Sequence, residues 1–285
     1  MLHHRYSQLK LAVRSLSSSS LIKSKPIETI RLPPLSSKDI NSYEHQLAIA
    51  DAIRSYHKSQ KPLLLANLIS KCDAVYFWRS LQYWHAAVPE NTPVDVELGR
   101  SYNTGSRVSM KFGDYLDYLS QVTEQQSDDP QAEVAYLAQN ELFTEVQSDI
   151  PIPHFCSDES FNVGEGKLYH SMLWLGPRGT LSPLHFDPLD NLLMQVVGKK
   201  RVLLYPPDGR DIDNVYYAGL NGNQYNTSAV DVENPNYEEF PKFRSAPTPY
   251  ECEIGPGDVL FIPKKWWHHV RSLSKLSASA NIWWR

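Results

Sequence analysis

Two residues with metal-ligand chemistry stand two positions apart in the segment TLSPLHFDPLDNLLMQVVGKKRVLLYPP, residues 180–207. They are His185 and Asp187, and the segment around them has the composition of a β-strand. Because side chains two apart on a strand project from the same face, the imidazole and the carboxylate point the same way. Such a pair is two thirds of a 2-His-1-carboxylate facial triad, which leaves positions open on Fe(II) for chemistry. An isolated His-x-Asp also arises by chance, so the interpretation depends on a third ligand.

The candidate third ligand lies in the segment PGDVLFIPKKWWHHVRSLS, residues 256–274. A tight turn at residues 255–258 is expected to feed a short apolar strand over residues 259–262, and His268 and His269 follow on opposite faces of the next element. Only one of them can point inward, and the periodicity alone does not choose between them. For either histidine taken singly, a structural role within the sheet is the alternative.

A lysine follows the His-x-Asp pair on the returning strand. Lys200 shares a strand face with Val202 and Leu204, and a lysine on an apolar face needs an anionic partner. The alternative is that Lys199, Lys200 and Arg201 form a solvated hairpin turn. The first interpretation predicts an anion-binding position inside the fold.

The elements before this region are mostly helical. Apolar spacing predicts a helix that begins at Ser42 and further helices over residues 74–81 and 112–119. Short strands are predicted at residues 61–66 and 93–98.

From about residue 135 onward, short apolar strands alternate with turns rich in Pro, Gly, Asn and Asp. The predicted strands are VAYLA, SMLWLG, SPLHFD, NLLMQVV, KRVLLYPP, YECEI, DVLFIP, HHVRSLS and SASANIWW. Such a series is typical of a β-sandwich or barrel. Residues 208–249 are predicted to form a long irregular insertion, of the kind that often carries specificity.

The domain prediction is a flexible arm or targeting segment at residues 1–35 and a single domain at 36–285. Within that domain, residues 36–130 are the helical part and residues 131–285 the barrel core. The fold class is therefore mainly β with N-terminal helices.

The composition excludes few functions, but it limits the partners and the cellular compartment that fit this protein. With 28 basic and 32 acidic residues, no global field indicates a nucleic-acid or membrane partner. Three widely spaced cysteines without a CxxC pair argue against a disulfide framework or a zinc knuckle and for a reducing compartment. No apolar run has the length of a membrane span.

The first 25 residues are basic and rich in serine without an acid, so they are either a mitochondrial presequence or a solvated terminus. The location, cytoplasmic or nuclear versus mitochondrial, stays open.

Several segments together resemble a known family. TLSPLHFDPLDNLLMQVVGKKRVLLYPP, PGDVLFIPKKWWHHV and the final ANIWW resemble the small JmjC-domain oxygenases. Those enzymes use Fe(II), 2-oxoglutarate and dioxygen on a double-stranded β-helix, a cupin-like jelly-roll barrel. The resemblance is closest to the hydroxylase branch, which includes the asparaginyl hydroxylase of hypoxia-inducible factor and the tRNA wybutosine hydroxylase. It covers roughly residues 60–285.

The resemblance implies roles for individual residues. It implies that His185, Asp187 and His268 bind iron and that His269 faces away from it. Lys200, fifteen positions after His185, would anchor the distal carboxylate of 2-oxoglutarate. The other residues that the resemblance assigns to the cosubstrate are Tyr136 and Ser182 at the same carboxylate and Asn191 and Asn281 at the metal-proximal end.

Some of these residues have simpler interpretations. A tyrosine in the core is the alternative for Tyr136. Four tryptophans, Trp174, Trp266, Trp267 and Trp283, are expected in the core rather than at a cofactor.

The resemblance leaves the substrate open between a protein side chain and a modified tRNA base, with histone demethylation less expected. Two other classes stay open: a catalytically inactive cupin-like scaffold, and a non-oxidative cupin metal enzyme that would not consume 2-oxoglutarate. Relatives in the hydroxylase branch carry helices after the last strand that build a homodimer, whereas this sequence ends at Arg285. A monomer, a dimer through N-terminal helices and a truncated sequence are all compatible with that difference.

Overall fold

The computed structural model describes residues 22–34, 42–99, 107–124, 134–207, 214–220 and 225–285. Most of the segment predicted to be either a flexible arm or a targeting segment therefore lies outside the described residues. None of the described helices is long and apolar enough to cross a membrane.

Eight consecutive strands form the centre of the molecule. They are β7 (Leu168–Pro177), β8 (Leu181–Phe186), β9 (Asp190–Val197), β10 (Lys200–Tyr205), β11 (Tyr250–Ile254), β12 (Val259–Ile262), β13 (Trp267–Ser272) and β14 (Leu276–Trp284). One sheet contains them in the order β11-β10-β13-β8 and the other in the order β12-β9-β14-β7. Two four-stranded antiparallel sheets with this alternation make a jelly roll, so the predicted fold class is confirmed.

Further strands widen both sheets. They are β1 (Lys25–Pro26), β2 (Thr29–Arg31), β3 (Leu63–Ala66), β4 (Pro93–Leu98), β5 (Arg107–Lys111) and β6 (Ala135–Glu141). β1 extends the smaller sheet beside β11. β2 and β3 extend one edge of the larger sheet and β6, β4 and β5 the other.

The N-terminal boundary of the domain differs from the prediction. The sequence interpretation assigned residues 1–35 to an arm, but β1 pairs with β11 and β2 pairs with β3. Edge strands as short as two or three residues carry too little periodicity to be recognised in a sequence. The division of the chain into domains otherwise stays a prediction.

The helices cover the outer face of the larger sheet. They are α1 (Tyr43–Ser59), α2 (Asp73–Phe77), α3 (Leu81–Ala87) and α4 (Phe112–Glu124), and short 3₁₀ turns occupy Thr144–Asp149, His154–Cys156, Glu159–Phe161 and Pro241–Ser245. The helix predicted over residues 74–81 is broken, because Ser80 is extended with φ −100° and ψ 118°. The break lets the indole of Trp84 donate to the carbonyl oxygen of Trp78 at 2.9 Å while the two rings pack 4.9 Å apart. Both side chains are fully buried, and tertiary packing here overrides helix propensity.

The barrel interior is a separate apolar layer between the two sheets. Val202, Leu204 and Val270 from the smaller sheet meet Leu193 and Leu260 from the larger one. The residues of the predicted site lie on these same inward faces. The fold therefore brings strands that are distant in sequence around one small cavity.

Candidate metal and cosubstrate site

The two histidines of the site are direct neighbours across a pair of strands. β8 and β13 are antiparallel, with His185 opposite His268. Their ring centroids lie 4.1 Å apart, and both side chains are buried. The register shifts between His268 and Val270, where two steps along β13 match three along β8, from His185 to Ser182, so β8 carries a bulge at this point. Bulges next to functional sites re-aim side chains, and this one lets Ser182 and His185, three positions apart on β8, both face the barrel interior.

Asp187 completes the cluster at the end of β8. Its Oδ1 lies 3.9 Å from Nε2 of His185 and its Oδ2 lies 3.6 Å from Nε2 of His268. One ligand atom from each of the three residues lies within 4.8 Å of the others. Asp187 is half-buried, which leaves one side of the cluster open.

Hydrogen bonds on the far side of each imidazole determine which nitrogen faces the cluster. Nδ1 of His185 lies 2.8 Å from the carbonyl oxygen of Pro183, and Nδ1 of His268 lies 3.0 Å from that of Trp266. A carbonyl only accepts, so we assign the proton to Nδ1 in both rings, and Nε2 presents its lone pair to the cluster. Metal-binding histidines are oriented in this way.

The electrostatics also favour a metal-binding state. Burial, and then the neighbouring His185, lower the pKa of His268 to about 4, so its ring is neutral at pH 7. Two imidazoles and one carboxylate are the donor set of a facial Fe(II) site. The residues of the cluster therefore fit a divalent transition metal.

Two more side chains hold the carboxylate in place. The indole of Trp283 donates to Oδ2 of Asp187 at 3.1 Å, and the amide of Asn191 approaches the same oxygen at 3.4 Å. The backbone N–H of Lys265 donates to the carbonyl oxygen of Asp187 at 2.8 Å, which ties the β8–β9 turn to the corner before β13. Asp187 is therefore fixed through both its side chain and its backbone.

The cluster opens into a cavity inside the barrel. Seven of the eight predicted site residues line it: Tyr136, Ser182, His185, Asp187, Lys200, His268 and Asn281. The eighth, Asn191, does not line the cavity itself but lies behind Asn281, from which it accepts a hydrogen bond at 3.0 Å. The structure thus brings together residues from six strands that the sequence separates by up to 145 positions, from Tyr136 to Asn281.

Among the described residues that line this cavity, Lys200 is the only lysine or arginine. Its side chain is buried with 3% exposure, and its Nζ donates to the hydroxyl of Ser279 at 2.5 Å. Burial lowers the pKa of Lys200 to about 7. Within the described residues no carboxylate pairs with Lys200. Its ammonium donates to the neutral hydroxyl of Ser279, whereas a buried charge is stabilised best by an anion.

Tyr136 lies across the cavity at a position set by a glycine. A Cβ on Gly176 would come within 2.6 Å of the Tyr136 ring, so only glycine lets the ring occupy this place. Burial raises the pKa of Tyr136, and the phenol stays protonated as a donor. It packs against Trp174 with ring centroids 5.8 Å apart.

The structure also separates the two adjacent histidines. His269 is buried but does not line the cavity, and its Nε2 faces Glu233 at 3.4 Å instead. The expectation that these two side chains point in opposite directions agrees with this geometry.

Sequence reasoning missed the contribution of two tryptophans. Trp174 and Trp283 were expected in the core, yet both line the cavity, and Trp283 donates a hydrogen bond to Asp187. The spacing contained a signal for Trp283, because a residue two positions after Asn281 on a strand shares its face.

Comparisons with known proteins agree with the fold and the cluster. A family model described as a cupin-like domain matches residues 50–285. Jumonji C domain-containing protein 5 of Drosophila melanogaster is 32% identical over 98% of this chain and 69% of its own length. Lysine-specific demethylase JMJ30 of Arabidopsis thaliana is 36% identical over 84% of this chain and 53% of its own. A tRNA wybutosine-synthesizing protein 5, from Gallus gallus, is 31% identical over 68% of this chain and 54% of its own.

The chain thus spans between about half and two thirds of the length of these relatives. The family match nevertheless covers the whole barrel, from α1 to the last strand, and includes every residue of the cluster and cavity. This chain belongs to the JmjC family of cupin-like proteins.

Proposed function

We propose that this protein is an Fe(II)- and 2-oxoglutarate-dependent dioxygenase that hydroxylates a macromolecular substrate. The observation that carries the proposal is the joint presence of a facial His-Asp-His cluster and a buried lysine in one cavity. A cupin enzyme that uses a metal without 2-oxoglutarate does not need a buried lysine in the same cavity. An inactive scaffold has no need of either feature.

In this proposal His185, Asp187 and His268 hold the iron. Lys200 binds the distal carboxylate of 2-oxoglutarate, and the hydroxyl groups of Tyr136 and Ser182 donate to the same carboxylate. Asn281, oriented by its bond to Asn191, stands at the metal-proximal end. When bound, iron and 2-oxoglutarate supply the oxidative chemistry: dioxygen gives one oxygen atom to succinate, with loss of carbon dioxide, and the other to the substrate.

The protein itself orients the side chains that bind the metal and keeps water out of the cavity. Trp283 and Asn191 hold the Asp187 carboxylate, so its position does not depend on the metal alone. Leu193, Ile262 and Val270 give the cavity apolar walls, which strengthen electrostatic contacts inside it.

We further propose a protein side chain as the substrate, rather than a tRNA base. In support, the relatives that match most of this chain carry protein-directed or neutral names, whereas the tRNA wybutosine-synthesizing relative matches a shorter part. Incubation with peptide pools and with bulk tRNA, each followed by mass spectrometry for a gain of one oxygen, separates the two classes. Oxygen incorporation only into tRNA would refute this choice.

The activity itself is tested by anaerobic titration of the protein with Fe(II) and 2-oxoglutarate. A chelated cosubstrate gives a weak visible charge-transfer band. We expect the band in the wild type and in His269→Ala and expect it to vanish in His268→Ala. Succinate formation that depends on added 2-oxoglutarate is the matching turnover assay. A wild type without the band and without succinate would favour the scaffold.

A further inference from the structure

Two arginines face each other on the outside of the smaller sheet. Arg201 on β10 is directly opposite Arg271 on β13, and both are half-buried. Like charges opposite each other across strands are destabilising. His269, two positions before Arg271, lies on the same outer face. This surface therefore requires an anion.

The insertion between β10 and β11 supplies an anion that contacts both arginines and His269. Glu233 accepts from Nε of Arg271 at 2.6 Å and lies 3.5 Å from Arg201 and 3.4 Å from His269. Burial acts to raise the pKa of Glu233, but hydrogen bonds and charge from His269 and Arg271 outweigh it and lower the pKa to about 2. The carboxylate is therefore ionised at neutral pH.

The same insertion completes the edge of the strand that carries the first predicted iron ligand. Thr227 forms an isolated bridge with His185. The backbone N–H of Phe186 donates to Asn226 at 3.0 Å, that of Ser228 donates to Leu184 at 2.8 Å, and the Asn226 amide donates to Phe186 at 2.7 Å. Without these bonds β8 would be an open edge on this side, because β8 ends the smaller sheet.

Only five positions separate Ser228 from Glu233. Between them, Val230 and Val232 pack against Leu184 and Leu203 of the sheet. One short segment therefore crosses the sheet, with the edge pairing to β8 at its Ser228 end and the contacts with the arginines at its Glu233 end.

We propose that Glu233 is a positioning residue, whose contact with the opposed arginines holds the insertion on the sheet and thereby fixes the strand edge at His185. The functional consequence rests on the proposed role of His185 as a metal ligand. The structural part does not, because it concerns the pairing of residues 226–228 with β8.

The test compares Glu233→Gln with Glu251→Gln in the full chain. Glu251 is the matched control, because it also binds Arg201, at 2.6 Å, but belongs to β11 and not to the insertion. Hydrogen exchange at the Phe186 and Ser228 amides reports the edge pairing. We expect exchange there to rise by about tenfold or more in Glu233→Gln and to stay unchanged in Glu251→Gln.

Metal binding is the second readout. We expect about tenfold weaker Fe(II) affinity in Glu233→Gln, as is typical when support for a ligand is removed, and partial rescue in Glu233→Asp. Unchanged exchange in Glu233→Gln would overturn the proposal, because the apolar contacts would then hold the segment alone. Equal effects in both glutamine variants, or faster exchange throughout the barrel, would also overturn it. If the wild type shows no cosubstrate band, the exchange experiment still decides the role of Glu233.

Discussion

Lys200→Met separates the contribution of this lysine to folding from its contribution to binding. In the protein without cosubstrate, the ammonium is buried without an anionic partner among the described residues, and its pKa is lowered to about 7. A lysine in the unfolded chain titrates near 10.4, so folding disfavours the charged form. This difference costs about 4 kcal/mol at pH 7 and about 2 kcal/mol at pH 9.

Methionine has a similar length and removes that cost. The hydroxyl of Ser279 loses its donor, which costs about 1 kcal/mol. We therefore expect the free energy of unfolding of the apoprotein to increase by about 1–3 kcal/mol at pH 7. A domain of this size gains roughly 2–4 °C in Tm for each kcal/mol. The sign of the linkage predicts a smaller gain at pH 9, because the unfolded wild type binds more protons than the native one between pH 7 and 10.

The affinity for 2-oxoglutarate is expected to fall in Lys200→Met, although the stability of the apoprotein rises. Saturating 2-oxoglutarate stabilises the wild type by about 2.7 kcal/mol at a hundred times its Kd, whereas Lys200→Met loses most of this gain. Thermal unfolding under anaerobic conditions with Fe(II), with and without 2-oxoglutarate, measures both effects. Lys199→Met is the control, because Lys199 is exposed and pairs with Glu253. An apo Lys200→Met protein less stable than the wild type would refute the reasoning, since the lysine would then support the fold.

Two further predictions concern the same cavity. Because a bound dicarboxylate favours the charged form of Lys200, 2-oxoglutarate binding should take up a proton above pH 7, and its affinity should fall by up to about tenfold per pH unit there. Calorimetry in two buffers of different ionisation enthalpy measures that uptake, which should be absent in Lys200→Met. Trp283→Phe removes the donor to Asp187 and should weaken Fe(II) binding by about tenfold. Trp266→Phe is the matched control, because its indole donates to the carbonyl oxygen of Gln60, away from the cluster, and equal metal affinities in the two variants would contradict the assigned role.

The sequence predicted the barrel strands well because their signals are local. Each strand of the jelly roll is a short apolar run between turn residues, and the predicted segments coincide with β6 to β14 to within a few residues at each end. The inward direction of Lys200 also followed from its spacing to Val202 and Leu204. What spacing left open was the choice between His268 and His269. Their distinction depends on which face of β13 its pairing with β8 and β10 turns toward the barrel interior, which no single strand encodes.

The contacts that support the site come from tertiary pairing between distant segments. Trp283 has the composition of a core residue, and its role depends on β14 passing beside the end of β8. Glu233 lies in a stretch without periodicity, and nothing local distinguishes it from Glu238 or Glu239. Its importance follows from two arginines that register places opposite each other. Local patterns therefore identify candidate groups of a catalytic site, while the groups that hold them in position depend on strand register, and register is where experiments on this protein will be most informative.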